Sequence, residues 1–539
     1  MTELATSPAA AGPAGAHFEA KVGAYYLLAL LLDAEPRGLS GARIERIQFQ
    51  GAGDRFALDD VIVHTTMPDG TQAIVEIQAK RKISFSPGDT VFRDVVEQIV
   101  RCINAAGLET PPLRALAIAT AQSSRQIDGA YQEVLLWARH SETADAFFRK
   151  LNRPGASNEN MRTFVTTLQA NVAHFGASSD ENSIWRILRK LHILVFDFSA
   201  EGQTESLVRD RCAQALEASE REKAGALWSA LCDTAQSFAT SGGDIALSTL
   251  RDFLTNTHGL KLAGSRQNRA ARAVLHEASQ HALNDIRDRV GSAMLSRRAR
   301  LDSVNAALDS GRYVEIRGDA GVGKSGVLRA LADQAAMGAS IIVLTPARTI
   351  PRGWVAMRQT IGFDGTARDL LSDIAASGCA TLFLDGIDFF GEGERATASD
   401  LVREAAALPG FSVVVTARHA FGTDEPNWLP AEAIEQLGRA PTVIVDELTD
   451  AEIGELRSGA PELGPLLSDG LQRAKSFETC FDWIGWLDNP AAIRCLTRKP
   501  KWQSCGGRPA TGRSTIRPAN ERAFCATSPT SRYRAMQGH

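Results

Sequence analysis

Gly318-Asp319-Ala320-Gly321-Val322-Gly323-Lys324-Ser325 has the spacing G-x-x-x-x-G-K-[ST]. The mostly apolar run Tyr313–Ile316 before it predicts a strand, and Ser325–Gln334 after it predicts a helix. A strand, a Gly-rich turn and a helix N-terminus make a phosphate cradle, because the glycines let backbone N–H groups close around the anion. Gly318, Gly321 and Gly323 supply that turn. Lys324 is then placed to reach β- and γ-phosphates, and the Ser325 hydroxyl to hold Mg²⁺. The pattern is expected by chance on the order of 0.01 times in a chain of this composition. Phosphate binding is therefore preferred over an idle Gly-rich turn.

Downstream, Ala380–Asp385 reads as a buried strand ending in a carboxylate, followed by Gly386-Ile387-Asp388. Asp385 is placed to hold Mg²⁺ through water, and Asp388 to orient an attacking water. A third strand, Phe411–Thr416, ends in Ala417-Arg418. L-F-L-D-G-I-D followed by V-V-V-T-A-R resembles the STAND class of P-loop NTPases, the NACHT-like signalling ATPases. The resemblance implies ATP as ligand. It also implies a Thr/Arg pair sensing the γ-phosphate, which points to Thr416 and Arg418.

The 539 residues leave room for two to four domains. A net charge of −4 means that any nucleic-acid contact must come from local basic patches. The longest apolar run near the start, Ala24–Leu32, is too short to cross a bilayer. With Glu3 and no basic segment at the N-terminus, no signal peptide is expected. Eight cysteines without a C-x-x-C pair fit a reducing cytoplasm.

The N-terminal third predicts helix His17–Asp33, strands Arg43–Gln50, Asp59–Thr65 and Gln72–Ala79, helix Thr90–Ala106 and strand Leu113–Thr120. This is an αβββαβ order. The second half of the first helix is apolar all round and is expected to be buried on most sides. Glu76, Gln78 and Lys80 alternate along the third strand and share one face. Three polar side chains on a strand buried on both faces need partners or a metal. Asp60, opening the second strand, together with Gln78 and Lys80, could bind Mg²⁺ and activate water against a phosphodiester. Lys80 would stabilise the developing charge. Asp59 competes with Asp60 for the metal role.

Asp60 followed by Gln78-Ala79-Lys80 on this core resembles the PD-(D/E)xK nuclease superfamily, in its Q-x-K, Mrr-like branch. F-E-x-x-V-x-x-Y-x-L, L-D-D-V-I-V and I-V-E-I-Q-A-K-R further resemble the double-stranded DNA endonuclease domain of CD-NTase-associated effectors from bacterial antiphage systems. The resemblance implies Asp60, Gln78 and Lys80 as the catalytic set, with Glu19 as a further metal or supporting residue. Gln78 replaces the usual acid and removes one charge from the metal site. The alternative is a nuclease fold that only binds DNA or protein, under a regulatory ATP switch. A DNA-translocating restriction enzyme ranks last, since no helicase motif is present.

The expected organisation is a disordered segment 1–14, a nuclease-like domain 15–240, a helical linker 241–300, an NTPase core 301–430, a helical lid 431–497 and a disordered basic tail 498–539. Arg266, Arg269, Arg272, Arg287 and Arg289 read as solvated. Thr449-Asp450-Ala451-Glu452 fits a capping box at the start of a helix. The tail carries nine Lys or Arg and one acid without apolar period. The STAND class implies a long sensor after the lid, and the expectation is that it is missing here. Double-stranded DNA, a homo-oligomer formed on activation and an unidentified trigger are the expected partners, with no membrane.

Overall fold

The computed structural model describes residues 12–460, except 51–55, 107–111, 122, 200–201, 265–267, 291, 419–426 and 447. The expected tail 498–539, most of the expected lid and residues 1–11 lie outside the described residues.

The first half runs α1 (Gly12–Leu31), β1 (Arg43–Phe49), β2 (Val61–Thr66), β3 (Gln72–Ala79), α2 (Thr90–Ala106) and β4 (Leu113–Thr120). It continues through α3 (Gln132–His140), α4 (Ala144–Asn152), α5 (Glu159–His174), α6 (Glu181–Lys190) and β5 (Leu191–Val195) to α7 (Gln203–Ala215), α8 (Ala224–Ser241), β6 (Gly243–Ala246) and α9 (Leu247–His258). The αβββαβ order is present, and α1 opens inside the stretch 12–14 that was expected to be disordered. The strands form one sheet in the order β5-β4-β3-β2-β1-β6. β1, β2 and β3 pair antiparallel, while β3, β4 and β5 run parallel. One face carries α1, α7, α8 and α9, packed on Ile47, Val61, Val75 and Ile77. The other carries α2 to α6, packed on Leu116, Ile118 and Ile193. Residues Val22 to Leu32 of α1 and its end are nearly all buried, as a helix apolar all round requires.

The second half runs α10 (Asn268–Asp285), the hairpin β7 (Arg289–Val290) and β8 (Ala293–Met294), α11 (Arg298–Leu308), β9 (Tyr313–Gly318), α12 (Lys324–Ala336) and β10 (Ser340–Leu344). Then come α13 (Gly353–Thr360), α14 (Ala367–Ala376), β11 (Ala380–Leu384), α15 (Glu392–Ala407), β12 (Phe411–Arg418), α16 (Ala431–Leu437), β13 (Val443–Ile444) and α17 (Asp450–Gly459). The sheet is wholly parallel, in the order β10-β11-β12-β9-β13. Helices cover both of its faces, so its strands are near-continuous apolar runs. This is a P-loop NTPase fold of the α/β class, with β12 lying between the phosphate-loop strand and the strand that ends at Asp385.

Three expectations are corrected. The stretch 241–300 is no linker: β6 pairs with β1 as an edge strand, and Ile245, Leu250 and Leu254 enter the core around α1. Ala271 and Leu275 of α10 enter the NTPase core instead. Arg272 is buried rather than solvated. Val443–Ile444, expected within the lid, pairs with β9 as the fifth strand. The capping box at Thr449 is present and starts α17.

A fragment ending at residue 240 lacks Ile245, Leu250, Leu254 and Leu260, all buried. Each fully buried side chain contributes about 1.5–3 kcal/mol, so their loss approaches the whole stability of a typical domain, about 5–15 kcal/mol. A fragment 12–264 is expected to melt cooperatively, and 12–240 to show no cooperative transition by circular dichroism. Equal melting of the two would contradict the role given to β6 and α9.

Candidate functional site

The phosphate loop sits between β9 and α12. Gly321 and Gly323 have φ of 86° and 93°, left-handed values that favour glycine. Gly318 is fixed by crowding, since a Cβ there would run into the Val445 carbonyl. Lys324 Nζ donates to the carbonyl oxygens of Gly318 (2.8 Å) and Asp319 (2.7 Å), closing the loop on itself. Burial pushes the Lys324 ammonium below its ordinary pKa; the charge of Asp388 opposes this most, Arg418 reinforces it, and Asp385 and Asp319 also oppose it.

Asp385 follows β11 and accepts from Thr416 Oγ1 at 2.6 Å. Thr416 Oγ1 in turn accepts from the Gly386 N–H at 2.7 Å, which locks the end of β12 to the turn after β11. Ser325 also hydrogen-bonds the Asp385 carboxylate. Burial raises the Asp385 pKa, and these two hydroxyls and Lys324 oppose it. Asp388 Oδ2 accepts from the Arg418 N–H at 2.7 Å. The Arg418 guanidinium lies over the Phe389 ring, 4.4 Å from its centroid. Lys324, Ser325, Asp385, Asp388 and Arg418 thus gather where β9, β11 and β12 end. The oxygen donors Ser325 and Asp385 suit a hard cation such as Mg²⁺.

A cleft of about 380 Å³ opens from the loop. Its far wall is the end of α10 and the β7–β8 hairpin, with Ile286, Val290 and Leu295 beside Arg287, Arg289 and Arg297. Arg297 also donates to Glu452 at 2.9 Å, pinning α17 to that wall. Sequence reading missed this wall, because its strands are two residues long and carry no period.

In the first half, the β2–β3 register sets Val61 opposite Ile77, so Asp60 falls beside Gln78. Asp60 Oδ2 accepts from Gln78 Nε2 (2.6 Å) and from the Ala79 N–H (2.7 Å). Glu19 of α1 accepts from Gln50 Nε2 at 3.0 Å. Burial, then the charge of Glu19, pushes the Asp60 carboxyl up to about 7, with Lys80 and the Ala79 N–H opposing. Burial likewise raises Glu19 and Asp59, and Lys80 opposes both. Asp60, Gln78, Glu19 and Lys80 therefore share one electrostatic site, with Asp59 at its margin.

Glu76 does not join them. It is ion-paired with Arg114 at 3.2 Å and accepts from the N–H groups of Ala57 (2.5 Å) and Leu58 (3.3 Å). Its partners are protein groups, so of the three side chains on the shared face it needs no metal. Glu76 instead braces the turn that delivers Asp59 and Asp60. Gln78 Oε1 is buried without a hydrogen-bond donor. That orphan oxygen, beside an Asp60 carboxyl whose pKa the charges of Glu19 and Asp59 raise, fits a cation held by Asp60, Gln78 and Glu19. Among the described residues, no three His, Cys, Asp or Glu side chains converge as a ready metal cluster.

No protein-family model matches the chain, and no curated protein matches it. Solved structures give distant likenesses. They include the Aeropyrum pernix ORC1 protein in complex with DNA, at 18% identity over 41% of this chain and 65% of that one, TM-score 0.28. They include the Thermotoga maritima RuvB Holliday junction branch migration motor, at 15% identity over 37% and 64%, TM-score 0.24. The Moraxella osloensis Cap4 SAVED/CARF-domain containing receptor is similar at 13% identity over 75% and 70%, TM-score 0.25. The chain thus spans less than two thirds of the length of the first two. At this overlap the likenesses carry no argument about chemistry. Among the described residues, no helix is long and apolar enough to cross a membrane.

Two outcomes are expected. K324A removes charge-assisted hydrogen bonds worth about 1.5–3 kcal/mol each, so calorimetry should show ATP binding at least about tenfold weaker; unchanged affinity would reject the phosphate site. The second concerns Asp60, whose pKa in the fold, about 7, lies above its ordinary value. A carboxyl raised in this way adds stability below its unfolded pKa and loses it as pH rises through the folded value. Metal-free protein should therefore lose stability between about pH 4 and pH 7. Mg²⁺ should raise the melting temperature more at about pH 8 than at about pH 5.5, since it needs the ionised ligand. D60N should flatten both trends in a thermal-shift series, leaving the smaller part due to Glu19 and Asp59.

Proposed function

We propose that this chain is an ATP-binding STAND-like NTPase that controls a Mg²⁺-dependent endonuclease acting on double-stranded DNA, of the kind used in antiphage defence. The observation that carries the reading is the Asp60–Gln78–Lys80 set with Glu19, held on an αβββαβ sheet in one compact body with a phosphate loop. ATP would lie with its phosphates on the loop and its base toward Ile286, Val290 and Leu295. Lys324 would exchange the Gly318 and Asp319 carbonyls for phosphate oxygens, and Asp388 would align water toward them.

At the other site, Asp60, Gln78 and Glu19 would hold Mg²⁺, which supplies charge neutralisation and a more acidic water. Lys80 would offset charge building on the scissile phosphate. Glu76 keeps Asp60 in place. The exposed Arg81 and Lys82, next to Lys80, would contact the DNA backbone. ATP binding would favour a homo-oligomer that brings nuclease sites together on DNA.

The second reading, a nuclease fold that only binds DNA or protein, draws on the missing acid at Gln78 and on the lack of a three-ligand cluster among the described residues. Plasmid nicking with Mg²⁺, with and without ATP, separates the two. The parent should nick and lose nicking in excess EDTA. K80A should lose it while still binding ATP, since Lys80 makes no contact with the phosphate loop. Cleavage that survives both treatments would reject the assignment, and a parent that never cleaves would favour the binding module.

A further inference from the structure

The two halves meet through buried charges. Asp373 of α14 in the NTPase is fully buried and receives Arg211 of α7 at 3.4 Å and Arg272 of α10 at 3.3 Å. Arg272 also donates to the Asp373 carbonyl (3.2 Å), to Ser377 Oγ (2.8 Å) and to Glu35 after α1 (3.0 Å). Two arginines and two carboxylates thus form a cluster neutral in sum, which is what burial demands. Tyr25 of α1 donates its hydroxyl to the Ala376 carbonyl, the last residue of α14. Its ring lies under the Arg211 guanidinium, at 5.6 Å. Side chains cross over as well: Leu207 of α7 packs in the NTPase core, and Ala376 of α14 in the core around α1.

The same helices lead to both sites. α1 carries Glu19 about two turns before Tyr25. α7 starts beside α1, where Glu205 pairs with Lys21 at 3.9 Å, and about one and a half turns on it carries Arg211 and the Arg368–Asp210 pair of 2.8 Å. On the NTPase side, α14 leads through a short turn into β11 and so to Asp385. Each link is a packed, hydrogen-bonded or ion-paired contact.

We propose that the Arg211–Asp373–Arg272–Glu35 cluster with Tyr25 is the coupling device by which nucleotide at the phosphate loop sets the position of Glu19, and hence the state of the Asp60 site. This rests on the nucleotide-binding part of the reading above and names the regulation of its second site. Nucleotide that engages Asp385 shifts β11 and α14 together. Because Asp373 and Ala376 are tied to α7 and α1, those helices follow. By reciprocity, a ligand at the Asp60 site changes nucleotide affinity by the same factor.

Hydrogen exchange on the full chain tests this without any need for cleavage, so loss of the nuclease reading alone leaves the result interpretable. The probe is the non-hydrolysable analogue AMP-PNP with Mg²⁺. In the parent it should slow exchange in α12, and also in α1 and α7, by roughly fivefold or more, the lower end of ordinary site-to-site coupling. Y25F removes one hydroxyl, and R211Q removes one charge. Both should keep the protection of α12 and lose that of α1 and α7. If R211Q loses α12 protection as well, Y25F decides. Unchanged exchange of α1 and α7 in the parent, or transmitted protection that persists in Y25F, would overturn the proposal.

Discussion

The constraint that orders this molecule is the burial of α1 on every side. From Val22 onward its side chains face the sheet through Ile47, Val63 and Val75, and other helices through Leu231, Ala235, Leu250 and Leu254. A helix without a polar face has no stable place at a surface, so other elements must assemble around it. That requirement recruits α7, α8, α9 and β6. It also fixes where the few polar groups of α1 can lie. Glu19 emerges at the sheet end beside Gln50, and Tyr25 reaches the end of α14. The helix that closes one core thereby touches both halves of the chain.

The NTPase half is ordered by a different constraint, the alignment of strand ends in a parallel sheet. β9, β11 and β12 all point the same way, so the loop glycines, Asp385 and Thr416-Ala417-Arg418 fall on one rim. Short hydrogen bonds between neighbouring strand ends then set distances that no single loop could hold. Thr416 does most of this, bonding both the Asp385 carboxylate and the Gly386 N–H. Buried polar groups of this kind are costly when unpaired, so the rim is specified by its own satisfaction.

Much of this was legible in the residues. The phosphate loop, the Asp385 strand and the Thr449 capping box are local signals, and local spacing decides them. Strands Gln72–Ala79 and Leu113–Thr120 lie where the apolar patterning predicts them. What spacing could not show was long-range pairing. Whether Glu76 needed a metal or a protein partner stayed open, because Arg114 and the Ala57 N–H are not visible as its partners in the spacing. Arg272 looked solvated because its carboxylates, Glu35 and Asp373, lie far away in the chain. β6 is only four residues long, and its place beside β1 has no periodic signal at all. The hairpin that forms the cleft wall escaped for the same reason.

The late position of β6 bears on how the chain is made. β1 pairs on one side with β2, its immediate successor, but on the other with Gly243–Ala246, far along the chain. At ordinary synthesis speeds the gap between the two leaving the ribosome is on the order of ten seconds or more. Throughout that interval β1 is an open sheet edge, and α1 lacks α8 and α9 as cover. An open edge invites pairing with the wrong strand. Arg43, Glu45 and Arg46 are spaced along β1, charges that discourage such pairing until Asp244 arrives to meet Arg46 at 3.1 Å. The nascent chain thus carries its own guard against aggregation, and completing the sheet converts one of those charges into a native ion pair.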